Sequence, residues 1–279
     1  IPGGNNRVIL ASDGDFNVGP SSDAALIRLI EEKREDGVFL SVLGFGTGNL
    51  KDAKMEQLAN KGNGNYAYID NILEAKKVLV SEMGGTLYTI AKDVKIQVEF
   101  NPALVKGYRL IGYENRVMAA EDFDDDKKDA GELRARHTVT ALYEIVPIGA
   151  DTEIKAPGEL KYQVTVPTNA AVGNEIMTIK FRYKQPDGDQ SQLITRVVPN
   201  EGVDPGATSD NFRFSAAVAG FGMLLRDSKH KGATDYALVL HLAKEAKGRD
   251  EYGYRAEFIQ MVEKARLMDK RPAASANKE

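Results

Sequence analysis

Short apolar runs alternate with amphipathic stretches over the first third of the chain. Arg7-Val8-Ile9-Leu10-Ala11-Ser12-Asp13-Gly14 reads as a buried strand that runs straight into a carboxylate and a glycine. Ser21, Ser22 and Asp23 can cap a helix whose Leu26, Leu29, Ile30 and Lys33 share one face, and Gly37 can stop it. Val38 to Leu43 reads as the next buried strand. After Gly44-Phe45-Gly46-Thr47-Gly48, Asp52 precedes a short helix carrying Met55, Leu58 and Ala59 and ended by Lys61-Gly62, and Tyr66-Ala67-Tyr68-Ile69 is a third strand. A helical segment with Ile72, Ala75, Val78 and Leu79 on one side follows to the Gly84-Gly85 break and is expected to resume to Ala91. This alternation predicts β-α-β units around a parallel sheet. It puts Asp13 and Asp15 beyond the carboxyl end of a strand, where open parallel sheets receive ligands.

The period changes near Asp93. Val94, Ile96, Val98 and Phe100 alternate with polar residues, as do Val139 to Ile145, Leu160 to Val166 and Met177 to Tyr183. Tyr108 to Gly112 and Leu193 to Val198 add weaker strands, and Pro186-Asp187-Gly188-Asp189 supplies a turn. After Pro199 the period is helical again: Phe214, Val218, Phe221 and Leu225 are spaced four, three and four apart, as are Tyr254, Phe258, Met261 and Ala265. Thr234 to Lys247 makes a helix between them. The expected fold is therefore α/β, a partial Rossmann-like domain with a parallel sheet over 1–92. An antiparallel β-rich, sandwich-like domain over 93–200, a helical region over 201–270 and a disordered tail over 271–279 follow.

Length and charge narrow the function. With 279 residues, more than one domain is the expectation, and 41 acidic against 37 basic residues argue against nucleic acid or an anionic membrane as a general partner. The absence of cysteine excludes disulfides, thiolate metal sites and cysteine nucleophiles. No apolar run approaches the roughly 18 residues needed to span a bilayer. The chain opens at Ile1 and reaches a strand pattern at Arg7, as an excised piece of a longer protein would.

Several chemistries fail on spacing. Asp13-x-Asp15-x-Asn17 begins like an EF-hand loop, but Val18 stands sixth and Ala24 twelfth. Asp122-x-Asp124-x-Asp126 has Lys127 sixth and Leu133 twelfth, and reads as a solvated acidic loop. Gly44-x-Gly46-x-Gly48 lacks the sixth-position glycine of a dinucleotide loop, since Asn49 is there. His137, His230 and His241 are scattered, with no His-Glu-x-x-His, and no Gly-x-Ser-x-Gly occurs. No catalytic residue is assigned, and a hydrolase is the least supported reading.

The turn Ala11-Ser12-Asp13-Gly14, the Gly44-Phe45-Gly46 strand exit and the segment Leu58-Ala59-Asn60-Lys61-Gly62-Asn63-Gly64-Asn65-Tyr66-Ala67-Tyr68-Ile69 resemble the von Willebrand factor type A domain over about residues 7–92. The resemblance implies a metal-ion-dependent adhesion site for Mg²⁺ or Mn²⁺, built from an Asp-x-Ser-x-Ser loop, a separate threonine and an aspartate in a Ser/Thr-Asp-Gly turn. Asp13 matches that aspartate and the first pattern is absent, so the stretch looks like the second half of such a domain. It carries an incomplete metal site and an open edge at Val8–Leu10 through which copies could dimerise. Asp93 to Pro102, Tyr108 to Arg116 and His137 to Ile145 are similar to segments of bacterial YfbK-type proteins, a likeness covering nearly the whole chain. It implies a non-catalytic protein-interaction module of the cell envelope, on the periplasmic side and anchored upstream, whose intact form binds a protein partner through the metal. The alternative is a structural or assembly scaffold without metal dependence.

Overall fold

The computed structural model describes residues 4, 6–13, 22–46, 51–82, 88–113, 116–128, 130–135, 137–152 and 166–269. The chain divides into two compact units. One comprises 1–99, 118–139 and 178–197, and the other 100–117, 140–177 and 198–279.

In the first unit, β1 (Asn6–Ser12), β2 (Val38–Phe45) and β3 (Tyr66–Ile69) form a parallel sheet in the order β1-β2-β3. Leu10 lies opposite Val42, and Val42 opposite Tyr66. The crossover helices are α1 (Asp23–Glu35) and α2 (Asp52–Lys61). Ser22 caps α1 by accepting the Ala25 N–H at 3.2 Å, and Gly37, with φ of +79°, turns the chain out of it. Leu26, Ile27 and Ile30 of α1 join Met55, Leu58 and Ala59 of α2 against Leu10, Leu40, Val42 and Tyr66 of the sheet. Leu29, expected on that face, is 40% exposed. Apolar residues at 26, 27, 29 and 30 offer two overlapping stripes, and contact with α2 and the sheet selects the one containing Ile27.

Gly64 lies against β2: a Cβ there would overlap the Leu40 carbonyl oxygen. Past β3, Asn71 caps α3 (Ile72–Lys76) by accepting the N–H groups of Leu73 and Glu74 at 2.8 and 3.0 Å, and a π-helical turn, Lys77–Ser81, continues it. The helix does not resume to Ala91. Thr89, Ile90 and Ala91 instead open β4 (Thr89–Phe100), where Thr89 and Ala91 pair with Arg134 and Leu133 of β6 (Gly131–Arg134). The β-branched Thr89 and Ile90 suit a strand. β6 itself has too few residues to alternate visibly, and its pairing with β4 is what makes it a strand.

β6 and β4 run antiparallel and belong to a four-stranded sheet, β6-β4-β8-β9, with β8 (Glu175–Lys184) and β9 (Ser191–Pro199). The register shifts between Ala91 and Val94, and Asp93 takes φ of +52° in that bulge.

In the second unit, β5 (Val105–Ile111) and β7 (Leu142–Pro147) form an antiparallel pair. β7 begins three residues later than the alternation from Val139 suggests, and Val139 is 54% exposed. Most of the strand expected at Leu160 to Val166 lies outside the described residues. Three helices follow: α4 (Asp210–Leu225), α5 (Tyr236–Glu245) and α6 (Tyr254–Met268). Ser209 and Asp235 cap the first two by accepting N–H groups of Phe212 and Leu238 at 3.2 and 2.7 Å. Ala217, Phe221, Leu224, Val239, Leu240, Ala243, Ile259 and Val262 make the core, with Phe214, Phe258 and Ala265 packed on it. Val218, Leu225 and Met261, expected inward, are 45%, 61% and 50% exposed. α4 is apolar on nearly every side, so its spacing fits neighbouring stripes equally. The close α4–α5 approach, where a Cβ on Gly220 would meet Thr234 and Val239 at 3.2 Å, favours the stripe of small residues.

Gly64→Ala is expected to lower the urea midpoint by the equivalent of about 3 kcal/mol, because the β2 backbone must move. Gly222→Ala, with open space around its Cβ in α4, is expected to raise stability by about 0.5–1 kcal/mol. Equilibrium urea unfolding of both variants checks the pair.

Candidate functional site

β1 ends at Ser12 and delivers Asp13, exposed, at the carboxyl edge of the parallel sheet. Gly46 leaves β2 beside it with φ of +86°, and a Cβ there would lie 3.8 Å from the Asp13 Cβ. Tyr68 Oη donates to the Gly46 carbonyl at 2.9 Å, and Tyr66 Oη donates to the Asp52 carboxylate at the start of α2. Burial, reinforced by Asp52, pushes the Tyr66 phenol above its usual range. The two glycines have different causes. Gly46 needs the left-handed turn, whereas Gly44 has no room for a Cβ, which would meet the Tyr66 hydroxyl at 2.9 Å and the Met55 sulfur at 3.1 Å. Asp15 and Gly48 lie outside the described residues.

Mg²⁺ or Mn²⁺ at this edge would require about six hard oxygen ligands. Asp13 brings one carboxylate, and among the described residues no group of three His, Cys, Asp or Glu side chains is arranged to hold a metal. The described residues therefore do not fit a complete ion site. The histidines do not assemble either: all three are exposed, and His241 lies 3.5 Å from Glu245 one helical turn on.

The acidic segment after β5 is more than a solvated loop. Phe123 is buried, and Lys95 Nζ, on a residue only 3% exposed, donates to the carbonyls of Asp122 and Asp125 at 2.9 and 2.5 Å. Lys184 Nζ donates to the Asp126 carbonyl at 2.8 Å and to the Asp93 carboxylate at 2.5 Å. Outside, Arg182 binds Asp124 and Asp126 at 2.9 Å each, and Ser191 donates to Asp126. The hydrogen bond from Ser191 and then the Arg182 guanidinium hold the Asp126 carboxyl down at about 2. The carbonyls thus bind the buried lysines while the carboxylates point to the rim. The apolar Phe123 within the acid run was the available signal for an anchored segment.

A second polar group was not visible in the sequence. Arg134 is 4% exposed; it donates through Nη2 to the Asn63 carbonyl at 2.6 Å and through Nη1 to the Asn65 side chain. Arg7 Nη1 donates to Ser41 Oγ at 3.1 Å, and the same oxygen accepts the Asn65 N–H at 3.4 Å. The two guanidinium groups are thus joined through Ser41 and Asn65. Arg7 also lies over the Phe39 ring, 5.5 Å from its centroid. Glu132 is held by Thr89 at 2.8 Å and Asn63 at 3.4 Å. Burial, and then the neighbouring Arg7, pull Arg134 down to about 10, while Glu132 acts in the opposite sense, so Arg134 remains cationic at neutral pH. Nε of both arginines and Nη2 of Arg7 are buried with no hydrogen-bond partner among the described residues. A buried donor left unmet costs about 1–3 kcal/mol.

No helix among the described residues is long and apolar enough to cross a membrane. The molecule is a mixed α/β protein with a three-stranded parallel sheet, further sheets with antiparallel pairs and carboxyl-terminal helices. The family described as "Uncharacterized protein YfbK, C-terminal" matches residues 85–268. Uncharacterized protein YfbK of Escherichia coli (strain K12) is 43% identical over 269 residues, which is 95% of this chain and 45% of that protein. The chain belongs to the YfbK family, and it spans a little under half the length of that relative. Among solved structures, a von Willebrand factor type A protein from Catenulispora acidiphila is similar over 92% of this chain and 57% of its own, with TM-score 0.40 and 14% identity. The human COPII-coat protein Sec24c is similar over 97% and 38%, with TM-score 0.44 and 11% identity. Neither likeness adds weight to the fold described above.

The Asp126 carboxyl sits below the unfolded aspartate value of about 4. Its contribution to stability is therefore complete above about pH 4 and is lost as the pH falls toward 2. Urea midpoints from pH 5 to 2 are expected to fall less steeply for Asp126→Asn than for the unsubstituted chain.

Proposed function

We propose that the chain is a non-catalytic protein-interaction module. The observation that carries this reading is the outer edge of the parallel sheet. β1 is last in the strand order, among the described residues it pairs with β2 alone, and Val8 and Ile9 are 51% and 45% exposed. An apolar strand at the end of a sheet is a template for a further strand. The occupant proposed for the isolated chain is the β1 edge of a second copy.

In the longer protein, Asp13 supplies one ligand to a Mg²⁺ or Mn²⁺ ion. The other protein ligands come from chain outside these residues, and a carboxylate of the protein partner completes the coordination. An envelope setting on the periplasmic side, with an upstream anchor, belongs to the same reading and rests on the family resemblance. The rival is a structural or assembly scaffold of the envelope without metal dependence. It is favoured by the described residues, among which no three His, Cys, Asp or Glu side chains are arranged to hold a metal.

Two measurements test these readings. Light scattering on the isolated chain is expected to give twice its 30.5 kDa, and Ile9→Lys is expected to return it to one chain mass. A monomeric unsubstituted chain would overturn the edge-pairing proposal. Calorimetric titration with Mg²⁺ is expected to give saturable heat in the full-length protein and none in its Asp13→Ala form. Equal, negligible heats in both would leave the scaffold reading.

A further inference from the structure

We propose that Arg7 and Arg134 form a binding site for a small oxyanion, of the phosphate, sulfate or free carboxylate type, whose oxygens accept the guanidinium N–H groups that the protein leaves unmet. Three nitrogens carry this assignment: Nε and Nη2 of Arg7 and Nε of Arg134, all buried without a hydrogen-bond partner among the described residues. Native interiors leave few such donors unmet, and an ion or water usually accounts for those that remain.

The charge balance points to an anion. The charge of Arg7 acts on Arg134, and among the described residues Glu132 is an acidic group that acts on both. Among the described residues, two guanidinium groups stand against one carboxylate in a site largely removed from water, which leaves an excess of positive charge there. Buried charge requires pairing, and the guanidinium fork matches the oxygens of a carboxylate or phosphate. The donors are also held in advance. Arg134 is fixed by Asn63 and Asn65, Arg7 by Ser41 and the Phe39 ring, and Ser41 by the Asn65 backbone. Arg134 is buried while Arg7 is only half-buried, so entry is past Arg7.

The site requires neither a metal nor a second copy, although Arg7 itself lies on β1. The test is thermal unfolding and calorimetry of the 279-residue chain with sodium phosphate, sulfate or acetate against sodium chloride at matched ionic strength. Phosphate or sulfate is expected to give saturable binding heat and to raise the melting temperature with the logarithm of its concentration above the dissociation constant. At a concentration about 100 times the dissociation constant, the apparent unfolding constant should fall about 100-fold. Arg7→Gln is expected to abolish the response, and Arg7→Lys, which keeps the charge but loses the fork, to weaken it. Glu132→Gln removes the competing carboxylate and is expected to tighten anion binding several-fold. That variant keeps the test open if Arg7→Gln fails to fold. Saturable heat with acetate as well would assign a site for oxyanions in general; a response to phosphate and sulfate alone would assign a tetrahedral ion. If no oxyanion acts differently from chloride, the proposal is overturned. An undiminished response in folded Arg7→Gln, or no tightening in Glu132→Gln, overturns it equally.

Discussion

Buried cationic side chains set the terms for the first unit. Lys95, Arg134 and Lys184 are each less than a tenth exposed, and an ion taken out of water without partners is too costly for a folded state to carry. The lysines are met mainly by backbone carbonyls, which requires the chain at 122–126 to run over β4 and β8 with its carbonyl oxygens inward. That path buries Phe123 and turns Asp124 and Asp126 outward to Arg182. The bulge at Asp93 follows from the same requirement, because it brings a carboxylate to Lys184. A loop that looks like solvated charge is thus the counterpart of a buried pair of lysines.

The parallel sheet shows the same demand on one face only. Leu10, Leu40, Val42 and Tyr66 turn toward α1 and α2 and make an apolar core of ordinary kind. Ser41, the next residue on β2, turns the other way and joins Arg7, Asn65 and Arg134 in a polar network. Strand alternation makes this two-sidedness possible, since successive side chains leave a strand on opposite faces. The second unit carries no comparable charge in its helical core, which is filled by Phe221 and by aliphatic and small residues, with Phe214 and Phe258 packed edge-on around it. One unit is organised by electrostatic satisfaction and the other by apolar packing.

What could be read in the residues depended on whether the signal was local. The alternation of apolar runs and helical stretches from Arg7 to Ile69 predicts the β-α-β-α-β order found there, with Ser22 and Gly37 marking the ends of α1. Such signals act within a few residues and need no distant partner. Thr89 to Ala91 and Gly131 to Arg134 were misread or missed because each is a strand through the other, across more than forty residues. On α4, Val218 and Leu225 face outward because a near-continuous apolar helix offers more than one 3.6-period stripe, and on α6 the core takes Ile259 and Val262 in place of Met261. At the candidate site, the strand end carrying Asp13 was legible and its approach to Gly46 was not.

The sequence by itself determined the β-α-β-α-β order from Arg7 to Ile69, the parallel arrangement of its strands and the alternation from Val94 to Phe100, because propensity, capping and alternation are properties of neighbouring residues. Tertiary structure decided which helix stripe faces inward, that β6 exists, that the acidic segment clasps Lys95 and Lys184, and that Arg7 and Arg134 share one network. Each of those depends on residues far apart in the chain meeting out of water, where the demand for hydrogen-bond partners and close packing outweighs local preference.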